Sequence, residues 1–293
     1  MPTLDPDFEE ASFAGAANAE LGRDRGRWFT PGQVEEAILG YDASTVPGDT
    51  ARAVLRRVAG IELGPGVWLT PNWWLRCAAR PEGSLLQSRF ASLLLQYKRP
   101  TMQYGASAPL MERYGAPYFR FAFTPKQHRT LVRLDEALLD EAVVRYASPC
   151  TCHRKQVEQW QMDRSVLENT NFVSPRRIGL KHRAWTYLLP GAVGYRNRFS
   201  SDDDAIPSDS DASLFAQLVD GARALALDRH VSQLLRLLAG EAADTAVDET
   251  IAELEVSEID TPRAQAIATV ARLLLVGVEL QDSGVSWWLL EAR

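Results

Sequence analysis

Gln96 and Lys98 flank Tyr97 at the end of the most apolar run in the chain. That run is Arg89-Phe90-Ala91-Ser92-Leu93-Leu94-Leu95-Gln96-Tyr97-Lys98, stopped by Arg99-Pro100. A near-continuous apolar stretch of this length is the pattern of a strand buried on both faces. Side chains alternate along a strand, so Gln96 and Lys98 point one way and Leu95 and Tyr97 the other. Burying an amide and an ammonium without partners costs several kcal/mol, so the two need a local network or a polar site. Beside a bound metal ion, a lysine can orient or polarise an attacking water and stabilise charge at a phosphate. A glutamine oxygen can ligate a hard cation, more weakly than a carboxylate does.

The elements that must hold this pair are legible around it. Thr30-Pro31-Gly32-Gln33 is a helix start, with a capping Thr, Pro at the first helical position and Gln completing a capping box. Val34, Ala37, Ile38 and Tyr41 follow at helical spacing, and Gly40 marks the end. Residues 1–29 read as an irregular or weakly helical lead. Residues 50–60 read as a second helix, and 66–70 and 73–77 as short strands around Pro71-Asn72. After the apolar strand, Tyr118 to Phe123 alternates as a strand. Gln127 to Asp140 is an amphipathic helix with Leu131, Leu134, Leu138 and Leu139 on one side, and Ala142 to Ala147 is a third strand closed by Ser148-Pro149. Strand, helix, strand in that order implies a right-handed crossover and a partly parallel sheet. From about residue 213 the pattern is helical, through Leu214 to Leu238 and again from Thr261-Pro262.

The strand-borne Gln96-Tyr97-Lys98 resembles the (E/Q)xK variant of the restriction-endonuclease-like, PD-(D/E)xK nuclease superfamily. The helix Gln33-Val34-Glu35-Glu36-Ala37-Ile38-Leu39-Gly40-Tyr41-Asp42 resembles that family's acidic first helix with its Gly-Tyr ending. The resemblance covers roughly residues 30–147. It implies a metal-dependent DNA endonuclease using Mg²⁺ or Mn²⁺, in bacterial restriction or anti-phage defence. Glu35 or Glu36 would be the helix carboxylate, Asp42 the metal-binding acid, Gln96 a metal ligand through its amide oxygen, and Lys98 the catalytic base or charge stabiliser. On a helix Glu35 lies between apolar neighbours and Glu36 points away, which ranks Glu35 first. The Pro-Asp pair of the family is missing between this helix and Gln96, and Glu62 could replace Asp42. The alternative is a catalytically inactive nuclease-like fold that acts as a protein or nucleic-acid interaction module.

The implied fold is α/β, a mixed central sheet flanked by helices, with an all-helical C-terminal region. It divides into a nuclease-like domain over 1–199, an acidic linker or loop over 200–212 and a helical region over 213–293. Arg99, Arg176, Arg177, Lys181 and Arg183 are the candidate nucleic-acid contacts, the last four interleaved with Trp185 and Tyr187. A packed basic surface is the competing reading. Cys150-Thr151-Cys152-His153 reads as a loop with partly buried thiols, since a structural zinc needs four ligands and there is no second closely spaced pair. Gly191-Ala192-Val193-Gly194 lacks the Lys-Ser/Thr ending of a phosphate-binding loop.

Composition bounds these readings. The 293 residues are 46% hydrophobic and 24% charged, the balance of an ordinary globular protein. There is no apolar run long enough for a membrane helix and no signal-peptide pattern at the N-terminus. Three cysteines cannot build a disulfide framework, so a reducing cytoplasm is expected. The net charge of −6 conceals a segregation: residues 96–198 carry +9 and residues 199–261 carry −12. A local field of that size permits a polyanion such as DNA despite the global acidity. It equally permits the two segments to pair inside the fold. The acidic helical region is the expected place for a protein partner or self-association.

Overall fold

The computed structural model describes residues 2–24, 89–105, 114–139, 141–196, 205–218 and 225–254. It also describes 268–269, 271–273, 275–277, 279–280 and 284–291. The chain divides into two compact units, residues 1–27 with 92–223 and residues 28–91 with 224–293. The Glu35 and Glu36 helix, Asp42, Glu62 and the strands expected over 66–77 lie outside the described residues.

In the first unit, strand β1 (Thr3–Leu4) precedes helix α1 (Glu10–Asp24), so residues expected to be irregular or weakly helical include a 15-residue helix. Its buried side, Phe13, Ala16, Ala17 and Leu21, has helical spacing but only two large apolar side chains, a weak signal in sequence. Strand β2 (Arg89–Tyr97) belongs to this unit from Ser92 onward. It lies parallel to β5 (Ala142–Pro149), from Ser92 opposite Ala142 to Tyr97 opposite Ala147. β6 (Thr170–Val173) joins β5 antiparallel. All eight residues of β5 are buried, as a central strand covered on both faces requires.

A second sheet replaces part of the expected single central one. β1, β3 (Thr101–Gln103), β4 (Tyr118–Ala122), β7 (Ala184–Tyr187), β8 (Val193–Arg196) and β9 (Ile206–Pro207) follow one another in that order, each pair antiparallel. The expected parallel pairing is present, but between β2 and β5; β4 belongs to the other sheet. Arg99-Pro100 ends β2, and the chain then enters an antiparallel meander with its own register. Gly194 allows β8 to lie against Trp185, because a Cβ there would sit 2.1 Å from Trp185 Cζ2 and 2.5 Å from the Thr186 carbonyl oxygen.

Helix α2 (Pro125–Ala137) begins where the residues direct it. The Thr124 side chain accepts from the Gln127 amide at 3.4 Å and Pro125 occupies the first turn. Leu131, Leu134 and Leu138 are buried as expected, whereas Leu139 is exposed. Helix α3 (Arg154–Asp163) and the single turn α4 (Pro175–Ile178), capped by Ser174, follow. Of the acidic stretch read as a linker or loop, residues 205–212 are described. They contain β9, buried Ser208 and Asp209, and the start of helix α5 (Asp211–Ala216), so this part is packed.

In the second unit, β10 (Leu225–Ala226) pairs antiparallel with Arg89 and Phe90. Helices α6 (Leu227–Ala239) and α7 (Glu241–Leu254) pack together. Buried Asp244 accepts from Ser232 Oγ at 2.7 Å, Arg236 Nε at 2.6 Å and Arg272 Nε at 2.5 Å. Strand β11 (Ser286–Glu291) corrects the expectation of an all-helical C-terminal region. The β-branched and aromatic run Val285-Ser286-Trp287-Trp288 favours a strand there. The chain is therefore mixed α/β. Among the described residues no helix is long and apolar enough to cross a membrane.

Candidate active site

The C-terminal end of β2 is held by two hydrogen bonds to β5. Beyond the last ladder pair, the Lys98 amide donates to the Ala147 carbonyl at 2.8 Å, and the Lys98 carbonyl accepts from Ser148 Oγ at 2.9 Å. Gln96 is 1% exposed. Its Oε1 accepts from Gln127 Nε2 of α2 at 2.8 Å, and its Nε2 donates to the Tyr97 carbonyl at 3.2 Å. Tyr97 turns to α1 instead, with its ring edge-on to Phe13 and its hydroxyl donating to Asn18 Oδ1 at 2.5 Å.

Lys98 Nζ lies 3.8 Å from Glu10 Oε2 in the first turn of α1, with side-chain exposures of 12% and 42%. Desolvation lowers the Lys98 pKa, and the Glu10 charge opposes that shift. Glu10 is raised by desolvation, opposed by Lys98 and by the Arg99 backbone amide. Each charge is thus costly in this place and each supports the other.

Strand alternation predicts that Gln96 and Lys98 share a face. Their polar ends instead engage different helices, α2 for Gln96 and α1 for Lys98. Strict alternation lapses after Tyr97, where β2 ends before Arg99-Pro100. Glu10 is the residue that the sequence reading missed. Its signal was the acidic pair Glu9-Glu10 at the start of a helix, the favoured end for carboxylates.

Among the described residues no group of three or more His, Cys, Asp or Glu could hold a metal ion. Mg²⁺ commonly keeps several waters and takes only one or two carboxylates together with substrate phosphates. Glu10 meets that minimal requirement. Gln96 Oε1, the expected ligand, accepts from Gln127 of α2 and is not brought together with Glu10 of α1.

The expected nucleic-acid residues fall in two places, Arg99 beside α1 and the other four on α4 and the turn after it. Arg99 Nη1 donates to the Phe8 carbonyl at 3.2 Å and to Glu9 Oε2 at 3.3 Å, fastening β2 to the start of α1. Arg176 and Arg177 lie on α4, and Lys181 and Arg183 on the exposed turn after it. Arg177 Nη1 donates to the Pro207 carbonyl at 3.3 Å and stands 3.6 Å from Asp209 Oδ1. A cleft of about 180 Å³ opens beside them, lined in part by Asp135, Arg145, Ser174, Arg176, Arg177 and Gln217.

Arg145 is 5% exposed in the wall of that cleft. It donates from Nε to Asp209 Oδ2 at 2.6 Å, from Nη1 to the Val144 carbonyl at 2.8 Å and from Nη2 to Gln217 Oε1 at 2.5 Å. Asp135 Oδ1 is 3.8 Å from Nη1. Two internal carboxylates therefore balance Arg145 and Arg177. Here the basic and acidic segments do pair inside the fold.

Cys150 is half-buried and Cys152 buried, both free thiols between β5 and α3. Burial raises both pKa values, Cys152 to about 11, which disfavours the nucleophilic thiolate.

No family model matches the chain, and neither a curated protein nor a solved structure does.

Proposed function

We propose that the chain is a divalent-cation-dependent phosphodiesterase that cleaves DNA, with a restriction-endonuclease-like core centred on the end of β2. The observation that carries this reading is the half-buried Lys98 held 3.8 Å from the Glu10 carboxylate, two residues from buried Gln96, at the edge of a parallel strand pair. Mg²⁺ or Mn²⁺ bound at Glu10 would supply an activated water and neutralise phosphate charge. Burial weakens the proton hold of Lys98, which suits it to take or share a proton with a water, or to place its charge at a phosphate oxygen. Glu10 positions the ammonium, and the bonds from Lys98 to Ala147 and Ser148 fix the backbone that carries it.

Bacterial restriction or anti-phage defence in the cytoplasm is the role this chemistry suits. The acidic region beyond residue 213 would then serve a protein partner or self-association. A second reading, an inactive nuclease-like fold used as an interaction module, is favoured by one feature: the Gln96 oxygen is committed to Gln127.

Supercoiled plasmid incubated with the purified chain and Mg²⁺ or Mn²⁺ separates the two. Nicking or linearisation that is lost in Lys98→Ala and Glu10→Gln, and lost with EDTA, supports hydrolysis. Absence of cleavage in both metals, with DNA affinity equal in wild type and Lys98→Ala, refutes it in favour of the interaction module.

A further inference from the structure

Helix α2 carries three exposed cations on one side. Counting about 100° per residue from Lys126, Arg133 falls near −20° and Arg129 near −60°, an arc of about 60°. The opposite side is buried through His128, Leu131, Val132, Leu134 and Asp135. The segment 174–179 runs antiparallel along the helix. Near the C-terminal end of α2, Asp135 Oδ2 accepts from Ser174 Oγ and from the Arg176 amide at 3.3 Å. Near its start, His128 Nε2 meets the Gly179 carbonyl at 3.1 Å, while Nδ1 meets the Tyr146 hydroxyl at 3.1 Å. These buried bonds pack α4 and the turn after it, with exposed Arg176, Arg177, Lys181 and Arg183, against α2.

Most of these charges are not used internally. Among the described residues Lys126, Arg129, Arg133, Arg176 and Lys181 enter no ion pair, whereas Arg177 faces Asp209. Glu136 is the exposed acid on the same side of α2. The row from Lys126 to Arg133 is about 10 Å long at 1.5 Å per residue. Duplex DNA carries one phosphate per about 3.4 Å of axis on each strand, so a row of that length matches roughly three phosphates of one strand. Leu139 and Leu180 are the large apolar side chains exposed here, too few to anchor the surface in a bilayer.

We infer that the row on α2 and the cations of residues 176–183 form a binding surface for the phosphate backbone of double-stranded nucleic acid. The surface adjoins the candidate site through Gln127, the neighbour of Lys126 that bonds Gln96. Its choice of ligand rests on the nucleic-acid part of the proposed function and not on hydrolysis.

Fluorescence anisotropy with a labelled duplex of about 25 bp, in EDTA and across about 50 to 200 mM KCl, tests it. In Lys126→Ala/Arg129→Ala/Arg133→Ala the slope of log K against log salt should become shallower by about 2.7, at 0.9 per phosphate contact. Affinity near the middle of that salt range should fall at least roughly tenfold. Circular dichroism confirms folding, and Arg154→Ala/Lys155→Ala on the exposed side of α3 should bind as wild type. Wild-type slope and affinity in the triple variant overturn the surface even if cleavage is intact. Binding to vesicles of phosphatidylcholine and phosphatidylserine but not to the duplex also overturns it. Salt-dependent duplex binding without cleavage supports the surface and refutes only the hydrolytic reading.

Discussion

Replacing Arg145 by Met should destabilise the first unit by about 3–4 kcal/mol. The side chain is 5% exposed, and its Nε donates to Asp209 at 2.6 Å. Methionine fills comparable space but leaves Asp209 and Asp135, each 6% exposed, without their shared cation. Uncompensated buried charge typically costs 3–5 kcal/mol. The lower part of that range applies because Asp209 keeps Gln217 Nε2 at 3.1 Å and Arg177 at 3.6 Å. Asp209→Asn should cost less, about 2 kcal/mol, since Arg145 retains Asp135 at 3.8 Å. The double variant should be more stable than the sum of the two losses predicts, by about 2 kcal/mol. Urea unfolding followed by far-ultraviolet circular dichroism gives all four free energies. A loss below about 1 kcal/mol for Arg145→Met, or additive single effects, would refute the claim that this network locks the acidic segment onto the basic one.

Gly194→Ala should lower stability by about 3 kcal/mol or more, because its Cβ would overlap Trp185 Cζ2 at 2.1 Å; an unchanged urea midpoint contradicts this. Glu10→Gln should lower the Lys98 pKa further, since the attraction that opposes desolvation is removed. With four lysines in the chain, ¹³C-methylated lysine spectra with Lys98→Arg as the assignment variant resolve that titration, and an unmoved Lys98 resonance refutes the pairing. His230 is fully buried, and burial lowers its pKa to about 4. The unfolded chain binds this proton first, so the stability from neutral His230 is complete above about pH 6.5 and falls as pH drops towards 4. The loss across that window is about 3 kcal/mol, and His230→Leu should flatten the corresponding part of the stability profile.

Much of the local architecture was legible because its causes are local. The apolar run of β2, the Thr124-Pro125 start of α2 and the strand closed by Ser148-Pro149 are encoded by neighbours a few residues apart. The α1 helix was legible only weakly, because Ala16 and Ala17 on its buried side are small and Tyr97, which contacts Phe13 and Asn18 of this helix, is some eighty positions away. The same distinction governs the site. Residue types and alternation pointed to Gln96 and Lys98, but the end of β2 lets Lys98 reach α1 while Gln96 reaches α2.

Sequence alone determined the strands β2, β4 and β5 and the helix α2, that an amide and an ammonium meet the end of a buried strand, and that charge is segregated along the chain. Tertiary structure decided that two sheets form, that Glu10 is the partner of Lys98, and that Arg145 and Arg177 face Asp209 while Lys126, Arg129 and Arg133 stay in solvent. Hydrophobic period and capping act over one or two turns, so composition carries them. The partner of a buried charge is set by which distant surfaces exclude water together, and only the folded chain brings those surfaces into contact.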